Sequence, residues 1–252
     1  MICKLYASGY RDLSLIDIYG SVSFTLWLCG CNYNCPFCHN WKLAVKDPDI
    51  CKWILIEDII EKLKHMVKLI DYVHVTGGEP LLQTNCLLEF YSKTRVIGLK
   101  NSINSNLSNP SNLSKLLDEK LLDHVASDLK IPFTEMTGLD KDSYNYWKSY
   151  VESLEVIAQY NALFELRIPV AKELTIRYIS EVLSELKNIL SKMKNYYVIV
   201  FPLIGKPIVS VRDEEWCSKY CYPSREEVFE ISRIVKELLD TNVIVKYRWN
   251  IG

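Results

Sequence analysis

"VSFTLWLCGCNYNCPFCHNW", residues 22–41, runs from an apolar, β-branched and aromatic stretch into a loop with four cysteines, Cys29, Cys31, Cys35 and Cys38. The first seven residues read as a strand. Cys31, Cys35 and Cys38 are spaced C-x3-C-x2-C. Three thiolates on a short loop can hold three corners of a cubane [4Fe-4S] cluster, because soft sulfur suits iron–sulfur chemistry. The fourth iron then has no protein ligand and can bind a substrate or cofactor directly. The same residues admit two other readings. One is a zinc site completed by His39 or Cys29. The other is a disulfide, as in intracellular proteins of hyperthermophiles.

Outward from that strand, β-rich runs alternate with longer amphipathic ones. "ILIEDIIEKLKHMVKLI" (54–70) has helical spacing, "YVHVT" (72–76) is strand-like, and a helix passes through "LLEFYSK" (87–93). "VIGLKNSI" (96–103) and "HVASDLK" (124–130) read as strands around a helix at "SNLSKLLDE" (111–119). Helix 142–160, strand 163–169, helix 175–193, strand 196–202 and helix 224–240 complete about six β–α units, and a strand-like run "VIVKYRW" (243–249) follows. Such alternation argues for a parallel sheet with helices outside it. A doubly wound sheet and a full or partial barrel both fit. Either gathers its chemistry at the carboxyl ends of the strands. "GGEP" follows the second strand, "NSN" the third, and "DLK" and Arg167 lie at the fourth and fifth, which predicts one shared site.

The composition narrows the classes. Of 252 residues, 49% are hydrophobic, enough for a buried core, and no Pro/Gly linker divides the chain, so it reads as one domain over 1–252. Net charge is −1, from 30 basic and 31 acidic residues, so there is no global field to recruit nucleic acid or anionic lipid. No apolar run approaches the ~20 residues of a membrane span. The expectation is a cytoplasmic protein. Outside the loop, Cys3, Cys51 and Cys86 read as small buried hydrophobes, and Cys217 and Cys221, spaced C-x3-C, as ordinary thiols before half of a second metal site, a redox pair or a disulfide.

C-x3-C-x2-C with Phe37 before the last cysteine resembles the signature of the radical S-adenosylmethionine (radical SAM) superfamily. The resemblance implies a partial (β/α)6 TIM-like barrel, with a core at about 14–205 and an extension over 206–252. It implies that Cys31, Cys35 and Cys38 ligate a [4Fe-4S] cluster, that S-adenosylmethionine chelates the unique iron, and that Phe37 lies against adenine. His39 and Cys29 are then not needed as ligands. By the same resemblance Gly77, Gly78 and Glu79 meet the methionine ammonium. Asn104, Ser105 and Asn106 stand in the places of an activase motif that usually opens with an acid. Asp128 and Lys130 form a pair that compensates a zwitterionic ligand, and Arg167 meets carboxylate or ribose. An adenosine contact falls to backbone at Leu203 or Ile204, where relatives often have a histidine.

The activity implied is reductive cleavage of S-adenosylmethionine to a 5′-deoxyadenosyl radical. "CGCNYNCPFCHNW" is most similar to the activating enzymes of glycyl radical proteins, namely pyruvate formate-lyase activase and the anaerobic ribonucleotide reductase activase. This implies a glycyl radical protein as substrate and a flavodoxin or ferredoxin as electron donor. Two alternatives stand beside it. "TGGEPLLQ" is shared with 7-carboxy-7-deazaguanine synthase, which usually has Thr or Ser where this chain has His39. A non-catalytic zinc or cluster-binding module needs none of the motifs after the loop.

Overall fold

Buried Leu5 and Ala7 alternate with Lys4 and Tyr6 at the start of β1 (Lys4–Ser14), the first strand of the computed structural model, which describes residues 3–247. The chain divides into two compact units. The first holds the residues through Asn32 together with Asn40–Ala126. Its elements are β1, β2 (Ser23–Leu28), a short α1 (Trp41–Ala44), β3 (Lys52–Leu55), α2 (Ile56–Lys64), β4 (Tyr72–Gly77), α3 (Thr84–Val96), β5 (Lys100–Asn104), α4 (Pro110–Asp118) and the start of β6 (His124–Asp128). The strands lie in the order β3-β1-β2-β4-β5-β6. β1 pairs antiparallel with both β2 and β3, whereas β2, β4, β5 and β6 run parallel. Parallel neighbours need a crossover, and α2, α3 and α4 supply it. In α2 the buried residues Ile56, Ile59, Ile60 and Leu63 recur at helical spacing. α4 begins on a proline, and the Asn109 side chain caps it by accepting from the Asn112 N–H.

Strand register sorts side chains by face. His74 pairs with Ser102, and Ser102 with His124, so the three share a row, and Asn104 lies opposite Ala126 two positions further on. The Ser102 hydroxyl lies 2.8 Å from His74 Nδ1 and 2.7 Å from His124 Nδ1, with all three residues buried. A hydroxyl has one proton. It therefore donates to at most one of the two rings, and its lone pairs are open to an N–H of the other.

The second unit holds Tyr33–His39 and the chain from Ser127 onward. Its elements are α5 (Phe133–Thr137), α6 (Ser143–Gln159), β7 (Leu163–Val170), α7 (Thr175–Leu190), β8 (Tyr196–Pro202), α8 (Glu214–Tyr220), α9 (Arg225–Leu239) and β9 (Val243–Val245). β7, β8 and β9 are parallel. Leu166, Ile168, Val198 and Val200 are buried in the strands, with Ile179, Leu183 and Leu186 of α7 and Val228, Ile231 and Val235 of α9.

The six expected β–α units are β2–α2, β4–α3, β5–α4, β6–α6, β7–α7 and β8–α9, and the fold is the α/β partial (β/α)6 barrel type expected. Several boundaries differ, among them β6, which stops at Asp128, and α7, which stops at Leu190. Residues 54–55 belong to β3 and the helix after them stops at Lys64, because a four-residue strand runs straight into helix and the apolar spacing reads through the join. β5 starts at Lys100, after a turn in which Gly98 takes a φ of +88°. Of the expected strand 243–249, β9 covers Val243–Val245, and Arg248 and Trp249 lie outside the described residues. Among the described residues no helix is long and apolar enough to cross a membrane.

Candidate functional site

Disulfides join Cys3 to Cys86, Cys29 to Cys51 and Cys217 to Cys221. Of the nine cysteines, those left outside disulfides are Cys31, Cys35 and Cys38. This corrects the expectation that Cys3, Cys51 and Cys86 stand alone, and for Cys217 and Cys221 it selects the disulfide over the preferred reading as ordinary thiols. The pairings follow from the fold. Cys29 follows Leu28 and Cys51 precedes Lys52, two residues that both pair with Ala7 of β1, and their Cα atoms lie 6.2 Å apart. Cys217 and Cys221 are one turn apart at α8. Among the described residues no three His, Cys, Asp or Glu side chains converge as a single metal ion requires. A zinc site needs that convergence. A cubane does not, since each cysteine binds a different iron. Three thiols on one loop, left over when the other six are paired, are a donor set that fits a [4Fe-4S] cluster.

In the first unit the end of β4 is bolted to the start of the cysteine loop. The Gly78 N–H donates to Leu28 O at 2.8 Å, and the Glu79 N–H to Gly30 O at 2.7 Å. Gly77 has a φ of +113°, and a Cβ on Gly78 would overlap the Gly30 carbonyl, so both positions demand glycine. The Glu79 carboxylate is fully buried. Leu81 N–H and Ser105 Oγ donate to its Oε1 at 2.9 and 2.8 Å, and Asn106 N–H to its Oε2 at 2.6 Å. Asn104 Nδ2 donates to Thr76 Oγ1 at 3.2 Å. Asn106 reaches the loop itself, with Nδ2 at 2.9 Å from Asn32 Oδ1 and 3.8 Å from Cys31 Sγ.

In the second unit, burial pushes the Cys35 thiol up to about 11, against the positive charges of Lys130 and Arg212 and helped by Cys38 and Asp128. Lys130 is almost fully buried and meets Asp128 Oδ2 at 3.4 Å, although β6 ends at Asp128 and Lys130 follows it, so the pair does not sit on one strand face as the sequence suggested. Arg167 Nε is bonded to the buried carboxylate of Glu165, which also accepts from the Tyr197 hydroxyl. Burial alone would lower Arg167, and the Glu165 and Asp128 charges outweigh it and raise it. The loop is held from the chain after β8. Arg212 donates to the Asn34 side chain, Asp213 N–H to Pro36 O at 2.9 Å, and the Trp216 ring lies 5.9 Å from that of Phe37. His39 Nε2 donates to Ile204 O at 3.1 Å, and Leu203 O accepts from Tyr222 N–H. A ring nitrogen that carries a hydrogen toward a carbonyl is not a metal ligand.

Sequence reasoning missed Glu165, Tyr197, Arg212 and Trp216. Glu165 had a signal, since it alternates with Arg167 on one face of β7. Arg212 and Trp216 had none, because they reach residues about 180 positions away in the chain.

The profile of the radical SAM superfamily matches residues 26–186. Over 248 residues, 96% of this chain and 96% of the relative, the sequence is 25% identical to a protein of Methanocaldococcus jannaschii provisionally described as a glycyl-radical enzyme activating enzyme. It is 30% identical over 118 residues to a 7-carboxy-7-deazaguanine synthase of Hyperthermus butylicus, covering 45% of this chain and 46% of that one. Among solved structures, SuiB of Streptococcus suis aligns with a TM-score of 0.58 at 12% identity, over 88% of this chain and 47% of SuiB. At that identity the likeness concerns the fold.

Proposed function

Since the chain belongs to the radical SAM superfamily, we propose that it is an activating enzyme that removes a glycine α-hydrogen from a partner protein, acting in the cytoplasm with electrons from a flavodoxin or ferredoxin. The observation that carries the cofactor part is the division of the cysteines, which leaves C-x3-C-x2-C as the thiols outside disulfides. The cluster and S-adenosylmethionine, when bound, supply a 5′-deoxyadenosyl radical able to take hydrogen from an unactivated C–H bond. The protein must hold, orient and shield.

Cys31, Cys35 and Cys38 hold the cluster in this reading. Phe37, kept in place by Trp216, lies against adenine. The backbone at Gly77 and Gly78 offers close approach to the methionine end, and the Glu79 carboxylate beside it is tied to Leu81, Ser105 and Asn106. Asn104 and Ser105 border the same end. Asp128 and Lys130 present opposite charges to the ammonium and carboxylate, and Arg167, held by Glu165, adds a second cation.

A glycyl radical protein as substrate is favoured by the full-length similarity to the Methanocaldococcus protein. A second reading, radical chemistry on a small molecule of the deazaguanine type, is favoured by the half-length similarity to the Hyperthermus synthase. Anaerobic reconstitution with iron, sulfide, reductant and S-adenosylmethionine tests the shared chemistry. We expect 5′-deoxyadenosine, and none above background from a fully loaded protein overturns it. A glycyl radical protein from the same source is then added. An electron paramagnetic resonance doublet supports the activating role, and turnover of a small molecule without one supports the second reading.

A further inference from the structure

The stretch just after β5 closes into a ring of side chains against the cysteine loop. Asn106 Nδ2 donates to Asn32 Oδ1 at 2.9 Å, Asn32 Nδ2 donates to Ser108 Oγ at 2.8 Å, and Ser108 N–H donates back to Asn106 Oδ1 at 3.0 Å. The backbone of Asn106 is fixed separately, by donation to Glu79 Oε2. Ser105 Oγ accepts from Leu107 N–H at 3.0 Å, and Leu107 takes a φ of +56°, a conformation that a branched residue adopts only when its surroundings impose it.

This ring sets the orientation of one amide. With Oδ1 receiving the Ser108 N–H, the two hydrogens of Nδ2 face Asn32 Oδ1 and Cys31 Sγ, the latter at 3.8 Å. Turning the amide over would set oxygen against oxygen at Asn32, nitrogen against a donor at Ser108, and a lone pair against the sulfur. The network leaves one orientation.

We infer that Asn106 is a positioning residue for the cluster, donating an N–H···S hydrogen bond to Cys31 that raises the cluster's reduction potential. The inference rests on the proposed reading of Cys31 as a ligand. Adding an electron to the cluster increases negative charge on its sulfurs, so a fixed donor at one of them favours the reduced state. The donor is rigid because Asn106 is tied at backbone, oxygen and nitrogen at once. It is also shielded, since Asn106 is buried.

The experiment compares wild type, Asn106→Leu, Asn106→Ala and Ser108→Ala, all reconstituted anaerobically. Iron and sulfide are counted per chain, and the one-electron midpoint is then read by redox titration monitored by electron paramagnetic resonance. Both Asn106 variants are expected to load and to shift the midpoint negative by roughly tenfold in the reduction equilibrium, about 59 mV for one electron. Ser108→Ala loosens the ring but keeps the donor, and its midpoint is expected to stay at the wild-type value. Wild-type protein exchanged into deuterium oxide gives an independent reading. A deuteron coupled to the reduced cluster is expected in wild type and Ser108→Ala and is expected to be missing from whichever Asn106 variant loads. Loaded Asn106 variants with an unchanged midpoint overturn the inference, as does a Ser108→Ala shift of equal size or the absence of that deuteron in wild type. A wild-type chain that takes up no cluster overturns the cluster reading and this inference together, so the two failures are told apart.

Discussion

Glu79 shows how one side chain is committed. It has no exposed surface, and Leu81, Ser105 and Asn106 all donate to its carboxylate. The "GGE" pattern made a carboxylate at this strand end legible, but its ties to residues 105 and 106 were not, because contacts 26 and 27 positions apart leave no periodic trace. Glu79→Ala would leave those donors buried without acceptors, and the apo protein is expected to lose about 3 kcal/mol or more, read from its urea midpoint. Gly78→Ala forces apart the two backbones that its hydrogen atom now lets touch, and is expected to reduce cluster uptake in an iron and sulfide assay. Tyr91 offers a pH test away from the site. It is buried, its hydroxyl donates to Ser102 O at 2.8 Å, and burial raises it well above its ordinary value of 10.0. The unfolded chain ionises there first. The Tyr91 contribution is therefore complete below pH 10 and falls as pH rises toward the higher folded value. Wild type should lose stability against Tyr91→Phe between pH 9 and 11 in urea titrations, and parallel curves would contradict this.

At the level of elements, the alternation of strands and helices was legible because each of the six units carries both periods, two and 3.6. β1 and β3 were not. β1 alternates only over its first half and then turns exposed through Arg11, Asp12 and Leu13, while β3 is four residues long and abuts α2. α8 was also invisible as a helix, being seven residues with two cysteines that drew attention to themselves. Its role is mechanical. Trp216 meets Phe37, and Asp213, which caps α8 by accepting from Trp216 N–H, donates its own N–H to Pro36 O. Trp216→Ala should cost about 1 kcal/mol of stability, the size of an aromatic pair, and should speed removal of iron from the loaded protein by a chelator. An unchanged removal rate would mean that α8 does not brace the loop. Opening the Cys217–Cys221 bond by Ser substitution at both should cost about 2 kcal/mol on chain-entropy grounds, since the loop it closes is short.

Over the whole molecule the disulfides have unequal reach. Cys3–Cys86 spans 83 positions, Cys29–Cys51 spans 22 and Cys217–Cys221 only 4. The chain-entropy model ranks them in that order, with roughly 4.5 kcal/mol for the longest. Cys3→Ser should therefore lower the melting temperature of the apo protein most, and a strong reductant should bring wild type down to a similar value. Such bonds inside cells are characteristic of hyperthermophiles. Spacing within ten residues singled out Cys31, Cys35 and Cys38 as the thiols proposed for iron, but not how the others pair, because that depends on which strands become neighbours.

The Cys29–Cys51 bond has a consequence for how the loop is filled. Cys29 stands two residues before Cys31, so a fully reduced chain presents four thiols within ten positions and two candidates, Cys29 and Cys31, to complete a set of three with Cys35 and Cys38. The disulfide works as a protecting group does in synthesis, masking the one thiol that would lead to the wrong product. With Cys29 masked in this way, Cys31, Cys35 and Cys38 are the thiols that the loop keeps for the proposed cluster.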